Sequence, residues 1–495
     1  MITCMEQLPN NLYSAEQTRE LDRLAIHQYG IPGGVLMERA GAAAFEVIKQ
    51  YWPAAKRLCV VCGTGNNGGD GFVVARLAYE QWKQVEVFIV GDSEKISADA
   101  LAAKKALEAK GVIPHLYIKD ELPDVDVIVD ALLGTGLKGG VEGDAHYVIN
   151  AINKHAAPII ALDIPSGLSS DKGHVATDAV NSEVTISFIG LNRGLFTAQG
   201  SDCCGDLVFN DLQIPSAIYS RVPTTVKILT PSSPIFKKRK KESHKGVFGH
   251  ALIIGGDIGM SGAVRLACEA TLKTGVGLLS LATHSFHAAM VNDSRPEIMS
   301  YPVNEETNIQ FLIDKANVIA MGPGLGQTTW SKRLFHSAIN CHKPLVLDAD
   351  ALNILAKEDI TRENWILTPH LGEAARLLDV SIEEIQRDRF SAVEKIADKF
   401  GGVVVLKGNG SLIYSQGMTY LCDKGNPGMA SGGMGDVLTG IIAGLWAQGL
   451  SAFDAAKMGV YIHACAGDAA AKEGGERGLL ASDLMPEIRR LTNSL

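Results

Sequence analysis

Asp436 closes a glycine-rich stretch, NPGMASGGMGDVLTG, running from Asn426 to Gly440. Gly432, Gly433 and Gly435 surround one methionine, and the apolar run Val437 to Trp446 reads as a helix. A helix start preceded by glycines leaves unpaired backbone N–H groups facing outward, and such groups attract phosphate. Glycine lets an anion come close because it has no Cβ. A carboxylate beside this cradle repels phosphate, which points to another role: taking the proton from an attacking hydroxyl. Taken alone, Asp436 is equally a helix N-cap in an ordinary glycine turn. A second such stretch, GTGNNGGDG from Gly63 to Gly71, follows the apolar run Leu58 to Val61 and precedes a helical pattern from Phe72 to Trp82. Strand, glycine loop, helix is the order that seats phosphates on a helix N-terminus. The loop is neither a strict G-x-G-x-x-G nor a Walker A, since no lysine follows its glycines. Asn66, Asn67 and Asp70 supply polar oxygens that a tight turn does not need; a connector capped by Asp70 is the plain alternative.

The surrounding elements must carry these loops to a common edge. Apolar runs at Val85 to Val90, His115 to Ile118, Val125 to Val129, Pro158 to Leu162, Val184 to Phe188 and Leu207 to Phe209 read as strands, with a helix at Ala98 to Lys110. One strand ends at Asp130 and runs into ALLGTGLKG, and another ends in DIPSGL from Asp163. Open α/β sheets bind ligands beyond their strand ends, so Asn66, Asn67, Asp70, Asp130, Gly134 to Gly140, Asp163 and Ser166 should converge on one edge. Leu12 to Gln50 is helical in spacing, opening on a Ser14–Gln17 capping box. Four prolines between Ile214 and Phe236 mark a domain boundary, and the following KKRKK, Lys237 to Lys241, is expected to be a solvated loop. The alternation then resumes, with strands at Ala251 to Ile254, Leu278 to Ala282, Val318 to Met321, Leu345 to Leu347, Ile366 to Thr368 and Val403 to Leu406, and a helix at Gly262 to Thr274. Their ends carry GPGLG at Gly322, DADALN at Asp348, TPHLGE at Thr368 and KGNGS at Lys407. Both halves therefore read as α/β domains with mostly parallel sheets.

The totals bound the possibilities. A chain of 495 residues implies two or three domains. Its 46% apolar and 20% charged content suits a soluble globular protein, and a net charge of −9 argues against a nucleic-acid partner. Nine cysteines without a regular pattern suggest reduced thiols in the cytoplasm. Cys59 and Cys62 lie three apart on a strand, so they face opposite sides and form neither a redox pair nor a shared metal site. There is no signal-peptide pattern, and no window reaches the roughly 18–20 apolar residues of a membrane span.

The motifs NNGGDG, DALLGTGL and DIPSGL, in this order, resemble the epimerase domain of the NAD(P)H-hydrate repair proteins. TPHLGE, KGNGS and NPGMASGGMGDVL resemble the ribokinase-like fold and, more closely, its NAD(P)H-hydrate dehydratase branch. The resemblance implies a Rossmann-like three-layer αβα epimerase domain over residues 1–220 and a ribokinase-like αβα dehydratase domain over 225–495. It implies that Asn66, Asn67, Gly68, Gly69, Asp70 and the run Gly134, Thr135, Gly136, Leu137, Lys138, Gly139, Gly140 hold the hydrated dinucleotide. Asp163 would act at the reacting ring, and Asn67, Asp130 and Ser166 would bind potassium. In the second domain it implies that Lys407, Gly408, Asn409, Gly410, Ser411 and Gly435 hold the adenine nucleotide. Ala263, Gly324, His370 and Asp436 would hold the hydrate, with Asp436 as base. Glu373 would sit near magnesium. The implied activity is interconversion of the R and S hydrates of NADH and NADPH (NADHX and NADPHX), followed by dehydration of the S form coupled to hydrolysis of ADP. A cytoplasmic homo-oligomer is implied as well. His370 as a packing residue and Lys407 as a solvated charge remain open from the residues alone. Two other functions remain as alternatives: a small-molecule kinase with a nucleotide-sensing N-domain, and a non-catalytic nucleotide-binding regulator. The missing fingerprint argues against an NAD-dependent dehydrogenase.

Overall fold

The computed structural model describes residues 8–82, 84–118, 121–137, 139–230, 236 and 238–494. The chain divides into two compact units, Met1–Lys227 and Ile228–Leu495. In the first, seven strands form a sheet in the order His115–Leu116, Gln84–Ile89, Arg57–Cys62, Val127–Ala131, Ile159–Leu162, Val184–Phe188, Asp206–Asn210. All neighbouring pairs are parallel. The sequence order runs outward in both directions from the junction of Arg57–Cys62 and Val127–Ala131. That junction is the switch point at which open sheets leave a crevice.

Apolar cores lie on both faces of this sheet, which is why its central strands are continuous hydrophobic runs. Cys62 belongs to one core and Cys59 to the other, as their spacing requires. The helix Ala15–His27 opens on the predicted box, with Ser14 Oγ accepting from Gln17 N and Gln17 Oε1 accepting from Ser14 N.

One expectation is corrected. NNGGDG is not a loop: helix Asn66–Trp82 begins at Asn66 and contains it. Packing explains why glycines stand there despite their poor helix propensity. A Cβ at Gly68 would collide with the Gly63 carbonyl oxygen, so its bare backbone lets the helix start pass close to the chain that leads into it.

In the second unit the strands run in the order Met418–Cys422, Ser411–Ser415, Val403–Leu406, Trp365–Leu367, Leu345–Leu347, Val318–Met321, His250–Ile254, Leu278–His284, Met299–Val303. Pairing is parallel except along Val403–Leu406, Ser411–Ser415 and Met418–Cys422, which are antiparallel. The switch point lies between His250–Ile254 and Val318–Met321. Helix Met434–Ala447 is buried nearly all round and packs on Ser261–Lys273, where Thr271 Oγ1 donates to the Gly440 carbonyl at 2.9 Å. This contact fixes the helix whose N-terminus carries Asp436. The helix begins at Met434, three residues before the apolar run, because Gly433 caps it in the left-handed region at φ 91°.

Of the basic run, Lys237 lies outside the described residues. Arg239 is not simply solvated: its guanidinium stacks 3.7 Å from the Phe248 ring centroid and donates to the Gly275 carbonyl and Gln448 Oε1.

Candidate active sites

At the first switch point lies a cavity of about 770 Å³, lined by Asn66, Asn67, Asp70, Gly134 to Leu137 and Asp163, among others. Asp163 follows strand Ile159–Leu162 with φ 65°, a conformation that costs a non-glycine residue about 1–2 kcal/mol. Burial pushes its carboxyl up to about 6, against the bond it accepts from Thr135 N at 3.4 Å, while the charge of Asp22 adds to the rise. Burial, followed by the charges of Asp163 and Asp22, holds Asp70 well above the carboxylate range. Asp163 can therefore exchange a proton near neutrality, while Asp70 is held toward its protonated form. Asn66 Oδ1 accepts from Ser97 Oγ at 2.8 Å.

Asp130 and Ser166 are fully buried beside this cavity and do not line it. Ser166 donates to Asp130 Oδ1 through Oγ at 2.6 Å and to Oδ2 through N at 2.8 Å. Burial raises Asp130 to about 6, against those bonds. Asn67 is 9% exposed, and neither its Oδ1 nor its Nδ2 has a partner. Gly68 and Gly69 face packing neighbours and do not line the cavity; Gly140 packs against Thr177, and Gly139 lies in open space at φ 88°. Lys138 lies outside the described residues.

In the second unit, strand ends and the helix N-terminus bring four charged groups together. Lys407 Nζ bonds Asp348 Oδ1 at 2.7 Å and lies 3.7 Å from Glu373 Oε2. Thr439 Oγ1 donates to the other oxygen of Asp348 at 2.8 Å. A Cβ on Gly435 would stand 3.3 Å from Lys407 Nζ, so this first helical turn lies directly over the pair. Burial lifts Asp436 to about 7, with Asp348 adding to the rise and Lys407 opposing it. Burial works to lower Lys407, but Asp348 and Glu373 more than offset it, so the ammonium persists. Lys407 is therefore a site cation and not a solvated charge.

His370 caps helix Leu371–Leu378, where Nδ1 accepts from Gly372 N at 2.9 Å. Nε2 then carries the proton of the neutral ring and meets Glu373 Oε1 at 3.2 Å. Burial, then Lys407, lowers the pKa of this ring. Lys407 to Ser411 form a tight loop in which Ser411 Oγ contacts both Gly408 N and the Gly408 carbonyl. Buried Arg389 donates to the carbonyls of Leu406, Lys407, Asn409 and Gly410. Gly324, at φ 55°, stands beside Ala263, and Asp350, which accepts from Gly326 N at 2.8 Å, contributes to the field at Asp436.

Residues 33–194 match the family described as YjeF-related protein N-terminus, and residues 251–490 match the NAD(P)H-hydrate dehydratase family. The bifunctional NAD(P)H-hydrate repair enzyme Nnr of Coxiella burnetii is 46% identical over 97% of this chain and 99% of its own length. The chain belongs to the bifunctional NAD(P)H-hydrate repair enzymes. The Escherichia coli Nnr is 40% identical over 98% of this chain and 95% of its own. An ADP/ATP-dependent NAD(P)H-hydrate dehydratase of Bacillus subtilis, co-crystallised with ATP and magnesium, is 30% identical over 52% of this chain and 93% of its own, with a TM-score of 0.47. The repair enzyme thus joins an N-terminal domain built on a parallel sheet to a ribokinase-like dehydratase domain.

Several groups in the repair enzyme escaped the sequence reading. Asp22 and Asp99 line the first cavity from the helices Ala15–His27 and Ala98–Glu108, in which the sequence reading singled out no ligand residue. Asp348 and Thr439 complete the Lys407 cluster; the DADALN strand end was the available signal for Asp348, while Thr439 has none within an apolar run. His463, whose ring burial pulls down to about 4, has an unpartnered Nε2 and feels the charge of Lys407 from the long helix Ala452–Gly474.

Proposed function

We propose that the first unit interconverts the R and S forms of NADHX and NADPHX, and that the second dehydrates the S form with hydrolysis of ADP to AMP and phosphate. The observation that carries the second step is Asp436, a carboxyl lifted to about 7 in the first turn of a glycine-capped helix. Such a group is a base at neutral pH, beside backbone donors suited to a phosphoryl group. Hydroxide is a poor leaving group. Asp436 takes the proton of the C6 hydroxyl, and the freed oxygen attacks the terminal phosphorus of ADP, displacing AMP. The C6–O bond then breaks as phosphate departs, driven by the lone pair of the ring nitrogen. Loss of a proton from C5 restores the ring double bond. Lys407 and the backbone N–H groups at the helix start balance charge on the transferring group.

At the other site, inversion at C6 requires the hydroxyl to leave and return or the ring to open and reclose. Either route needs a proton carrier, and Asp163 at about 6 suits it. Asn67, Gly134 to Leu137 and Asp70 hold the dinucleotide in this reading, and Ala263, Gly324 and His370 hold it at the second site. Lys407 to Ser411 and Gly435 hold ADP.

The buried, unpartnered Asn67 amide beside the Asp130–Ser166 pair fits a cation that takes oxygen ligands. We assign potassium there; bound, it supplies a positive charge that compensates the buried carboxylates. Glu373 and Asp348 are the carboxylates that fit hydrated magnesium accompanying ADP, whose charge would stabilise the phosphates. We further assign the enzyme to the cytoplasm, as a homo-oligomer with small-molecule partners and without nucleic acid or membrane. None of the described helices is long and apolar enough to cross a membrane.

The test counts products. Each reduced nicotinamide regenerated from S hydrate should be accompanied by one AMP and one phosphate, and Asp436→Asn should slow all three together. Phosphorylation of a stable alcohol substrate, with no return of reduced nicotinamide, would favour a kinase.

A further inference from the structure

His287 lies near the C-terminal end of strand Leu278–His284, outside every motif that defines the two sites. It is 5% exposed. Its Nε2 accepts a hydrogen bond from Gly259 N at 3.0 Å. A backbone N–H can only donate, so Nε2 is unprotonated and the neutral ring carries its hydrogen on Nδ1. That Nδ1–H has no partner. A buried donor left unpaired costs about 1–3 kcal/mol, so such a group calls for an acceptor that arrives with a ligand.

The surroundings indicate which part of a ligand this is. The turn holding Gly259 adjoins the hydrate site: Asp257 N donates to the Gly324 carbonyl at 2.7 Å, and Met260 packs against Gly324, itself beside Ala263. Flanking His287 is Phe286, 69% exposed, with the two rings edge to face at 5.3 Å. The Phe286 backbone is anchored here: its N donates to His284 Nδ1, and the His284 ring packs against Trp330. Ile258 on the facing turn is also exposed. An exposed aromatic on an anchored backbone, beside a buried N–H donor, is an arrangement that stacks a planar base and reads one acceptor on its edge. Asp257, bonded to Ile258 N and Thr328 Oγ1, brings negative charge to this turn, which disfavours a phosphate and favours a neutral acceptor such as a purine ring nitrogen.

We infer that His287 and Phe286, with Ile258, form a subsite for the adenine of the hydrated dinucleotide, giving the dehydratase domain its hold on the half of the substrate that does not react. This rests on the dehydration reading above. Binding energy from a remote half of a substrate that is realised equally in the ground and transition states lowers KM and leaves turnover unchanged.

The test compares two substrates in the full-length enzyme: S-NADHX and the corresponding hydrate of the reduced nicotinamide mononucleotide, which lacks adenosine. His287→Gln retains an acceptor for Gly259 N–H and removes the Nδ1 donor; Phe286→Ala removes the stacking face. Each variant should raise the KM for S-NADHX about tenfold, as expected for the loss of roughly 1.4 kcal/mol. Turnover, the KM for ADP and the kinetics on the mononucleotide hydrate should stay unchanged. A purely structural role would move both substrates together. Equal effects on both hydrates, an effect on ADP alone, or no effect beyond a change of oligomeric state in light scattering would overturn the inference. Return of reduced-nicotinamide absorbance with the wild-type chain is the control for the dehydration reading, and its failure is distinct from any of these outcomes.

Discussion

Asp436 and Asp163 are both carboxyls raised by burial, to about 7 and about 6, so each activity should have an acid limb well above the ordinary carboxylate range. Each acts in its ionised form. Dehydration of pure S hydrate should therefore lose rate as pH falls through about 7, and epimerisation of R hydrate as it falls through about 6. Initial rates across pH for each substrate separately check this; an acid limb at the ordinary carboxylate value of about 4 would count against the assignment. The same shift has a stability consequence. The folded pKa of Asp436 exceeds its ordinary 3.8, so protonation favours the folded chain. That stabilisation is full below the ordinary value and is lost as pH rises through the folded one. Asp436→Asn should hence raise Tm at about pH 8, with the gain fading toward about pH 4, while lowering dehydration about 10²- to 10⁴-fold. A variant both less active and more stable is the expected signature of a carboxylate held against its solvation preference.

At the scale of elements, the loop Lys407–Ser411 depends on a residue that touches no substrate in this account. Arg389 lies in helix Arg389–Phe400, and burial pulls its pKa down to about 10. Its donors satisfy the loop carbonyls of Lys407, Asn409 and Gly410 and that of Leu406 at the end of the preceding strand. Arg389→Met should raise the KM for ADP with little change in the KM for hydrate. It should also lower Tm by several degrees, since each buried carbonyl left unpaired costs about 1–3 kcal/mol. Isothermal titration with ADP and a melting curve measure both effects. Sequence made the strands of this layer legible where they are buried on both faces: Val184–Phe188, Val318–Met321, Leu345–Leu347 and Val403–Leu406 stand where apolar runs mark them. Three strands of the second unit were among those hidden. Met299–Val303 is a partly exposed edge strand carrying a proline, which reads as a loop. The hairpin of Ser411–Ser415 and Met418–Cys422 is only partly buried, has no long apolar run, and turns on Gln416 and Gly417, both at positive φ. The NNGGDG segment misled for another reason: glycine content signals a loop, but here glycine serves close packing inside a helix. Of the candidate sites, the motif residues at strand ends were readable because chemistry at sheet edges follows topology. Asp22, Thr439, His287 and His463 were not, because each enters from a helix or turn whose local pattern shows no ligand.

For the whole molecule, each proposed site is assembled from residues of one unit, so the two activities should separate by mutation and recombine in solution. An equimolar mixture of the Asp163→Asn and Asp436→Asn chains should convert R and S hydrate together, because each supplies the site the other lacks. Conversion that stops once the S portion is spent would contradict this. The central claim is tested most directly by following reduced-nicotinamide absorbance while the wild-type chain acts on mixed R and S NADHX with magnesium and ADP. Complete, ADP-dependent conversion is predicted. With Asp436→Asn conversion should slow by about 10²- to 10⁴-fold, and with Asp163→Asn the S portion should return quickly and the R portion only at its slow spontaneous rate. Absence of any absorbance return with either ADP or ATP, or rapid conversion of the R portion by Asp163→Asn, would contradict the account.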